Sequence, residues 1–417
     1  MPTADATPGP GPAATIRRRH VLYVSGFDPQ GPAHYHALYR AEAGKQALVS
    51  GYSIDVGPRQ RGTAHSAYWD VRWTDDGGQT VDSRYEFLRW DDIVRKHWPR
   101  GTWRLVALTL ATTTRMVING SLWRILQTSW PAFMALAAPA ALLAGCASGV
   151  AGLAVACAAL MSLGHHAAGG VLLVGGLATL GGFARWAQGK VQMAWLMRSA
   201  RAILLQAGDG RPELEQRLDA FAGHLLDLSR RPGIDELMVV GHSSGAMLAA
   251  SVVARAIRRD AHLLERPGAP KLLTLGECIP VLSYQPEASA FRAELGILRA
   301  HTALCWLDVT APSDGCCFAL IDPTEVCLDG LAAGLRMPGG PKRLSPRFVQ
   351  LFSSERYANV RADKYRCHFQ YLMSGELRGV YDYFAITAGP LSLEVRFSSD
   401  EGIKNFEQFR WFGGPRR

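Results

Sequence analysis

The stretch Gly241-His242-Ser243-Ser244-Gly245 follows the apolar run at 237–240 and precedes an Ala-rich run at 246–257. A G-x-S-x-G sequence between a buried strand and a helix predicts a sharp turn that exposes the serine oxygen at the carboxyl edge of a sheet. Gly241 and Gly245 remove the side chains that would collide in so tight a bend, and the serine backbone is expected to be strained. Free N–H groups at the start of the helix favour negative charge there. The sequence therefore predicts Ser243 as a nucleophile, against the alternative of an ordinary glycine-rich turn.

Strands and helices alternate around this turn, and such alternation predicts an α/β domain with a mostly parallel sheet and helices on both faces. The expected helices lie at 34–48 and 214–228, and the expected strands lie at 20–25, 52–56, 67–73, 237–240, 271–275, 303–309 and 348–352. The runs at 381–386 and 391–397 are interpreted as a hairpin or edge strands. The predicted domain comprises residues 20–90 and 205–417, interrupted by a helical insertion at 91–204. Residues 1–19, rich in Pro, Ala, Thr and Arg, are predicted to be a disordered tail.

The insertion contains an unusually long uncharged segment. From Ile125 to Ala184 there are sixty residues without Asp, Glu, Lys or Arg. Because one membrane-spanning helix needs about 20 apolar residues, the segment predicts two transmembrane helices, at 131–153 and 167–184. A buried hairpin or a mobile lid in a soluble protein is the alternative. Residues 92–120 are expected to form an amphipathic helix on the same membrane surface.

Charge places this hairpin relative to the membrane. Basic residues flank it on both sides, and basic flanks are retained on the cytoplasmic side: Arg115, Arg124, Arg185, Lys190, Arg198 and Arg201. We therefore expect an inner-membrane protein whose α/β domain is cytoplasmic. The formal net charge of +9 fits attraction to anionic membrane lipids. The chain has no basic stripe interleaved with aromatic residues, so no nucleic-acid partner is expected.

The number and spacing of the cysteines argue against a disulfide framework and against a zinc site. Eight cysteines in 417 residues are too few for a disulfide framework, and Cys316-Cys317 are adjacent. No C-x-x-C pair occurs, so the sequence predicts no zinc site. Reduced thiols favour a cytosolic location.

A serine hydroxyl is a weak nucleophile and needs a base together with an acid that orients the base. Asp314 lies in the loop after the strand expected at 303–309, where such an acid should be, although Asp314-Gly315 is also a typical turn pair. Asp308, within that strand, is the alternative acid. His368 is the only histidine after Asp314, so chain order selects it as the base.

The negative oxygen that forms on an attacked carbonyl needs N–H donors. The backbone N–H of Ser244, directly after the nucleophile, is one candidate. The backbone N–H of Phe27, in the loop after the first strand, is the other. A plain strand-to-helix turn is the alternative for that loop.

These residues, in this order, resemble the α/β-hydrolase superfamily, and most nearly its membrane-associated bacterial serine esterases and lipase-like members. The resemblance covers about residues 20–75 and 205–375, with Ser25 where many relatives carry a histidine. It implies hydrolysis of a carboxylic ester, of a small molecule or a lipid, through an acyl-enzyme and without a metal or organic cofactor. Acyl transfer by the same triad, or a non-catalytic membrane-tethered binding protein, are the alternatives.

Overall fold

The computed structural model describes residues 15–207, 212–328 and 339–411. Within these residues one sheet contains nine strands: β1 (Arg18–Val24), β2 (Ser53–Val56), β3 (Gln60–Arg61), β4 (Ser66–Thr74), β5 (Thr80–Leu88), β6 (Glu236–His242), β7 (Lys271–Leu275), β8 (Trp306–Val309) and β9 (Lys342–Leu344). Their order is β2-β4-β5-β1-β6-β7-β8-β9, with β3 also paired to β4. The neighbouring strands β5, β1, β6, β7, β8 and β9 run parallel to one another. Strands β2, β3 and β5 each pair antiparallel with β4. The expected mostly parallel sheet is therefore confirmed.

The described helices follow in chain order: α1 (Pro32–Ser50), α2 (Asp91–Lys96), α3 (Thr102–Ile118), α4 (Ser121–Thr128), α5 (Trp130–Ser162), α6 (His166–Val191), α7 (Met193–Ala207), α8 (Pro212–Ser229), α9 (Gly245–Arg259), α10 (Ile279–Ser283), α11 (Ser289–Ala300), α12 (Ser354–Ala362), α13 (Lys364–Phe369), α14 (Tyr383–Ala388) and α15 (Leu393–Arg396). Between β5 and α8 the described residues form helices α2 to α7 and no strand.

Both faces of the sheet are covered. Alternate residues of a strand point to opposite faces, and β1 sends Leu22 and Val24 into one apolar cluster and Val21 and Tyr23 into another. The first cluster contains residues of α7 to α11, and the second contains residues of α1 and α12 to α15. Continuous apolar runs such as the one in β6 are typical of parallel strands that are buried on both sides.

The chain changes direction between β1 and β6, which are neighbours in the sheet. After β1 it continues through α1 towards the β5 side, and after β6 it continues through α9 towards β7. Helices α1 and α9 therefore lie on opposite faces of the sheet. In open parallel sheets the crevice at such a reversal, at the carboxyl ends of the strands, is where ligands bind. The turn that contains Ser243 lies at this reversal.

Helices α5 and α6 are the two predicted apolar helices. Both are long and apolar enough to cross a membrane, and few of their side chains are buried within the protein. They pack along each other with glycine against leucine. A Cβ on Gly149 would lie within 3 Å of Leu180, and a Cβ on Gly176 would lie within 3 Å of Leu153. The break between the helices contains Gly164 with φ +83°. The amphipathic stretch expected at 92–120 forms α2 and α3, which precede this hairpin.

Several predicted elements differ from the structure. The strand expected at 348–352 is wrong: Phe348–Gln350 is a turn of 3-10 helix, and the sheet ends with β9 instead. A short buried apolar run does not by itself distinguish a strand from a helix. Strand β5 is present where no element was predicted.

The hairpin or edge strands expected at 381–386 and 391–397 are also wrong. These residues form α14 and α15. The signal lay in the preceding residues, because Asp382 accepts hydrogen bonds from the N–H groups of Phe384 and Ala385, and Ser392 accepts one from Val395. Asp and Ser in that position favour the start of a helix.

The predicted tail is too long at its C-terminal end. Ile16 is buried and β1 begins at Arg18. Arg19 pairs with Glu236 of the neighbouring strand, at 2.5 Å, and donates to the carbonyl oxygen of Gly389. Residues 1–14 of the predicted tail lie outside the described residues.

Candidate functional site

Ser243 lies at the bend between β6 and α9 with φ +58°, a conformation that an L-residue with a Cβ rarely adopts. Its N–H donates to the carbonyl oxygen of Leu275, and its own carbonyl oxygen accepts from the N–H of Ala246. Both flanking glycines are required by close contacts. A Cβ on Gly241 would lie 2.6 Å from the Cα of Ala246, and one on Gly245 would lie 2.3 Å from the carbonyl oxygen of Val24. The sequence Gly-x-Ser-x-Gly therefore folds into a strained turn that presents Ser243.

Asp314 and His368 form a buried pair although they are far apart in the chain. The Nδ1 of His368 lies 2.8 Å from the Oδ2 of Asp314, and each side chain is only 1% exposed. Asp314 also accepts from the hydroxyl of Tyr371 at 3.1 Å and from the N–H of Cys316 at 2.9 Å. Burial acts to raise the pKa of Asp314, but the His368 charge and these hydrogen bonds outweigh it and lower the pKa. Asp314 therefore remains an ionised carboxylate that can orient the imidazole.

The second ring nitrogen of His368 is available. Its Nε2 is buried and has no hydrogen-bond partner among the described residues. The His368 ring centroid is 5.0 Å from that of His242, and the Nε2 of His242 donates to the carbonyl oxygen of His368. The His368 ring therefore lies next to that of His242, the residue that precedes Ser243.

His242 has a structural role at the same place. Burial, followed by the effect of His368, lowers the pKa of His242 to about 3. The ring is therefore neutral and serves as a hydrogen-bond donor that ties the His368 segment to the end of β6. This hydrogen bond joins residues 126 positions apart, a contact that no local sequence pattern predicts.

The Ser243 hydroxyl is not hydrogen-bonded to His368 in this structure, as far as the described residues show. Burial raises the pKa of the thiol of Cys278, the residue before α10, and the nearby Ser243 hydroxyl acts to lower it. Hydrogen bonds between a nucleophile and its base are commonly long in free enzymes and shorten when substrate binds. Proton transfer would therefore require a hydrogen bond between Ser243 and His368 to form.

The two candidate N–H donors differ in whether the N–H already has a hydrogen-bond acceptor. The N–H of Ser244 has no acceptor among the described residues. The N–H of Phe27 donates to the hydroxyl oxygen of Ser244 at 2.8 Å. Phe27 is therefore beside the turn, as expected, but its N–H becomes available to a ligand only if the Ser244 side chain moves. The loop is held in place by Trp90, whose indole N–H donates to the carbonyl oxygen of Ser25.

The alternative acid, Asp308, is occupied elsewhere. It lies inside β8, and its Oδ1 accepts from the hydroxyl of Thr274 at 2.7 Å. Burial, the largest influence, raises its pKa to about 7. Of the two aspartates, the structure brings only Asp314 into contact with His368.

Helix α7 covers the site. The Trp195 ring lies 5.5 Å from the His368 ring and 5.6 Å from that of Tyr365. On the other side, the Arg198 guanidinium lies 4.8 Å from the ring of Trp98, which stacks on Phe27 at 5.5 Å. Beneath this cover Ser243 is only 9% exposed. No sequence pattern predicts this arrangement, because a tryptophan close to an apolar segment is equally typical of a membrane-interface residue.

The site also contains one set of side chains that could hold a metal ion. Within the described residues, one ligand atom each from Asp314, Cys316 and His368 lie within 4.8 Å of one another.

Comparison of the chain with protein-family models, with curated proteins and with solved structures found no match.

Proposed function

We propose that the protein is a serine hydrolase of the α/β-hydrolase type, which cleaves carboxylic esters through an acyl-enzyme and is anchored in the membrane by α5 and α6. The observations that carry the proposal are the buried Asp314–His368 pair with its unpartnered Nε2, and the His368 ring 5.0 Å from that of His242, the residue before the strained Ser243. Tight φ > 0 turns at such positions are a common location for reactive groups.

The proposed reaction gives each of these groups a role. Ser243 Oγ attacks the carbonyl carbon of the ester while its proton passes to His368 Nε2. Asp314 holds Nδ1 and stabilises the imidazolium. The N–H of Ser244 stabilises the negative carbonyl oxygen. His368 then protonates the leaving alcohol, and a water activated by the same nitrogen hydrolyses the acyl-enzyme.

A lipid ester is the substrate class that the surroundings support. Helix α7 begins two residues after the end of α6, so the segment that covers His368 is directly continuous with the apolar hairpin. Large apolar side chains near the hairpin are strongly exposed: Trp103, Ile118, Trp123, Phe183 and Trp186. Exposed aromatic residues around apolar helices are typical of the membrane interface. An ester that resides in the inner leaflet, with the α/β domain cytoplasmic, would approach from this side.

A fluorophosphonate probe on the detergent-solubilised full chain tests the proposal. The wild type should be labelled, Ser243→Ala should not, and His368→Ala should label poorly. Asp314→Asn and Asp308→Asn provide a matched pair. Asp314→Asn should slow labelling by about 10³- to 10⁴-fold, because the imidazole loses its orientation and tautomer. Asp308→Asn should label at close to the wild-type rate.

Labelling that persists in Ser243→Ala would overturn the assignment of the nucleophile. Absence of labelling in a folded wild type would favour a non-catalytic binding protein. A series of p-nitrophenyl esters of increasing acyl length then measures the preferred substrate. A lipid-ester enzyme should prefer the longer chains.

A further inference from the structure

A cysteine completes a set of metal ligands at the candidate site. Cys316 lies two residues after Asp314, and its N–H donates to the Oδ1 of that residue at 2.9 Å. This places its side chain beside the pair formed by Asp314 and His368. A carboxylate oxygen, an imidazole nitrogen and a thiolate sulfur are the three ligand types that Zn²⁺ takes in proteins. Ligand spacing in the sequence does not indicate this set, because His368 is 54 positions from Asp314.

The distances are close to those of a zinc site. Zinc bonds of about 2.0–2.3 Å in a tetrahedron hold the ligand atoms about 3.3–3.7 Å apart. The three atoms here lie within 4.8 Å of one another, and the Asp314 and His368 atoms are 2.8 Å apart. Binding therefore requires that the pair open by about 0.5 Å and that the sulfur approach by about 1 Å or less.

Burial, followed by the Asp314 charge, raises the pKa of the Cys316 thiol, so binding must displace a tightly held proton. Cys316 is a partly exposed residue, and its sulfur has no hydrogen-bond partner among the described residues. The neighbouring thiols differ in this respect. Cys367 donates to the hydroxyl of Ser313, and Cys317 donates to the carbonyl oxygen of Asp314.

We propose that Asp314, Cys316 and His368 bind Zn²⁺, with a water as fourth ligand, and that the bound ion blocks reaction at Ser243. Binding replaces the thiol proton, which is released to solvent, with a sulfur–zinc bond. At His368 the ion takes Nδ1, and the proton of the neutral ring then resides on Nε2. A protonated Nε2 cannot accept the proton of Ser243. The binding of zinc is independent of the proposed function, whereas its inhibitory effect rests on it.

Cobalt gives a direct measure of binding that needs no activity. Co²⁺ takes the same ligands as Zn²⁺, and a thiolate–cobalt bond absorbs in the near ultraviolet. Ser243→Ala, in the full chain, keeps all three ligands and should show this band, which added Zn²⁺ should remove. Cys316→Ser and Cys316→Ala, alternative variants in case one does not fold, should lose the band. Cys367→Ser is the matched control and should keep it.

Inhibition is measured separately with the fluorophosphonate probe. Zn²⁺ should slow labelling of the wild type by about tenfold or more, and a chelator should restore it. Each variant is compared with its own rate in the absence of metal. Cys316→Ser should lose most of the zinc effect, whereas Cys367→Ser should keep it.

The outcomes separate the two proposals. Absence of the cobalt band, its persistence in both Cys316 variants, or its loss in Cys367→Ser would overturn the metal site, and the esterase proposal would stand. A band that depends on Cys316, in a protein that no probe labels, would retain the metal site and contradict the proposed function. Equal zinc inhibition of wild type and Cys316→Ser would overturn the inhibitory role.

Discussion

At the scale of single residues, Ser243 combines an unfavourable backbone conformation with the side chain proposed as the nucleophile. Its φ of +58° costs about 1–2 kcal/mol for a residue with a Cβ. The contacts that enforce the bend come from the backbone around it, since Gly241 and Gly245 have no room for a side chain. The strain is therefore imposed by β6, α9 and the loop after β1.

Substitutions of Ser243 test this strain without reference to any activity. Ser243→Gly should be more stable than Ser243→Ala by about 1 kcal/mol, because glycine adopts φ > 0 without a Cβ penalty. Ser251, buried in the middle of α9, supplies the control. There the order should reverse, with the glycine variant less stable than the alanine variant by about 1 kcal/mol. Chemical unfolding in detergent measures both differences, and the same order at both positions would contradict the strain.

At the scale of elements, β5 carries a buried carboxylate that joins three parts of the fold. Glu86 accepts from His20 of β1 at 2.8 Å and lies 3.1 Å from the Nε2 of His224 on α8. It also accepts from the hydroxyl of Ser66 on β4. Burial acts to raise the pKa of Glu86, but the hydrogen bonds and the histidine charge outweigh it and hold the pKa far below its ordinary value of 4.5.

The lowered pKa predicts a loss of stability in acid. Above pH 4.5 the unfolded and folded forms both carry the ionised Glu86, and its contribution is complete. Below that pH the unfolded chain binds a proton that the folded protein does not, so the free energy of unfolding falls as pH falls. The loss approaches about 1.4 kcal/mol per pH unit.

Glu86→Gln separates this effect from that of the other carboxylates. The variant should be less stable than the wild type at pH 6, and the difference should shrink between pH 5 and pH 3. Denaturant unfolding at a series of pH values measures it. Parallel curves for the two proteins would contradict the role given to Glu86.

At the scale of the whole molecule, the apolar hairpin is attached to the α/β domain at its base. The first turns of α5 pack on the main core through Ala132, Phe133 and Leu136. Farther out, the two helices contact each other where Gly149 faces Leu180 and Gly176 faces Leu153, and their side chains are mostly exposed. The outer part of the hairpin is therefore the part that a bilayer would surround.

Removal of residues 143–184, with a short Gly/Ser linker between Leu142 and Arg185, tests this division. The deletion leaves the base of α5 on the core, but the remaining segment is shorter than the about 20 residues that span a bilayer. After lysis without detergent the full chain should pellet with membranes, and a high-salt wash should not release it. The deletion variant should stay in the supernatant and still be labelled by the fluorophosphonate probe. Pelleting of the folded deletion variant would contradict the anchor.

Local patterns in the sequence determined much of this architecture. The uncharged segment forms two long apolar helices. Its composition alone predicts them, because a long apolar segment in lipid must satisfy its backbone hydrogen bonds internally, as a helix does. The G-x-S-x-G turn follows from an apolar run, two glycines and an Ala-rich run within about twenty residues. The elements at 348–352, 381–386 and 391–397 were predicted wrongly because short apolar runs fit a strand and a buried helix equally well.

The tertiary structure alone decided what meets at the site. Asp314 and Asp308 are the same residue type, so the sequence alone could not choose between them. The loop after β8 brings Asp314 to His368. The register of β7 and β8 places Asp308 against Thr274 instead. Trp195 over His368, the engaged N–H of Phe27, and the position of Cys316 likewise depend on contacts between distant segments. Such contacts arise from sheet register and helix packing, which no local pattern of residues encodes.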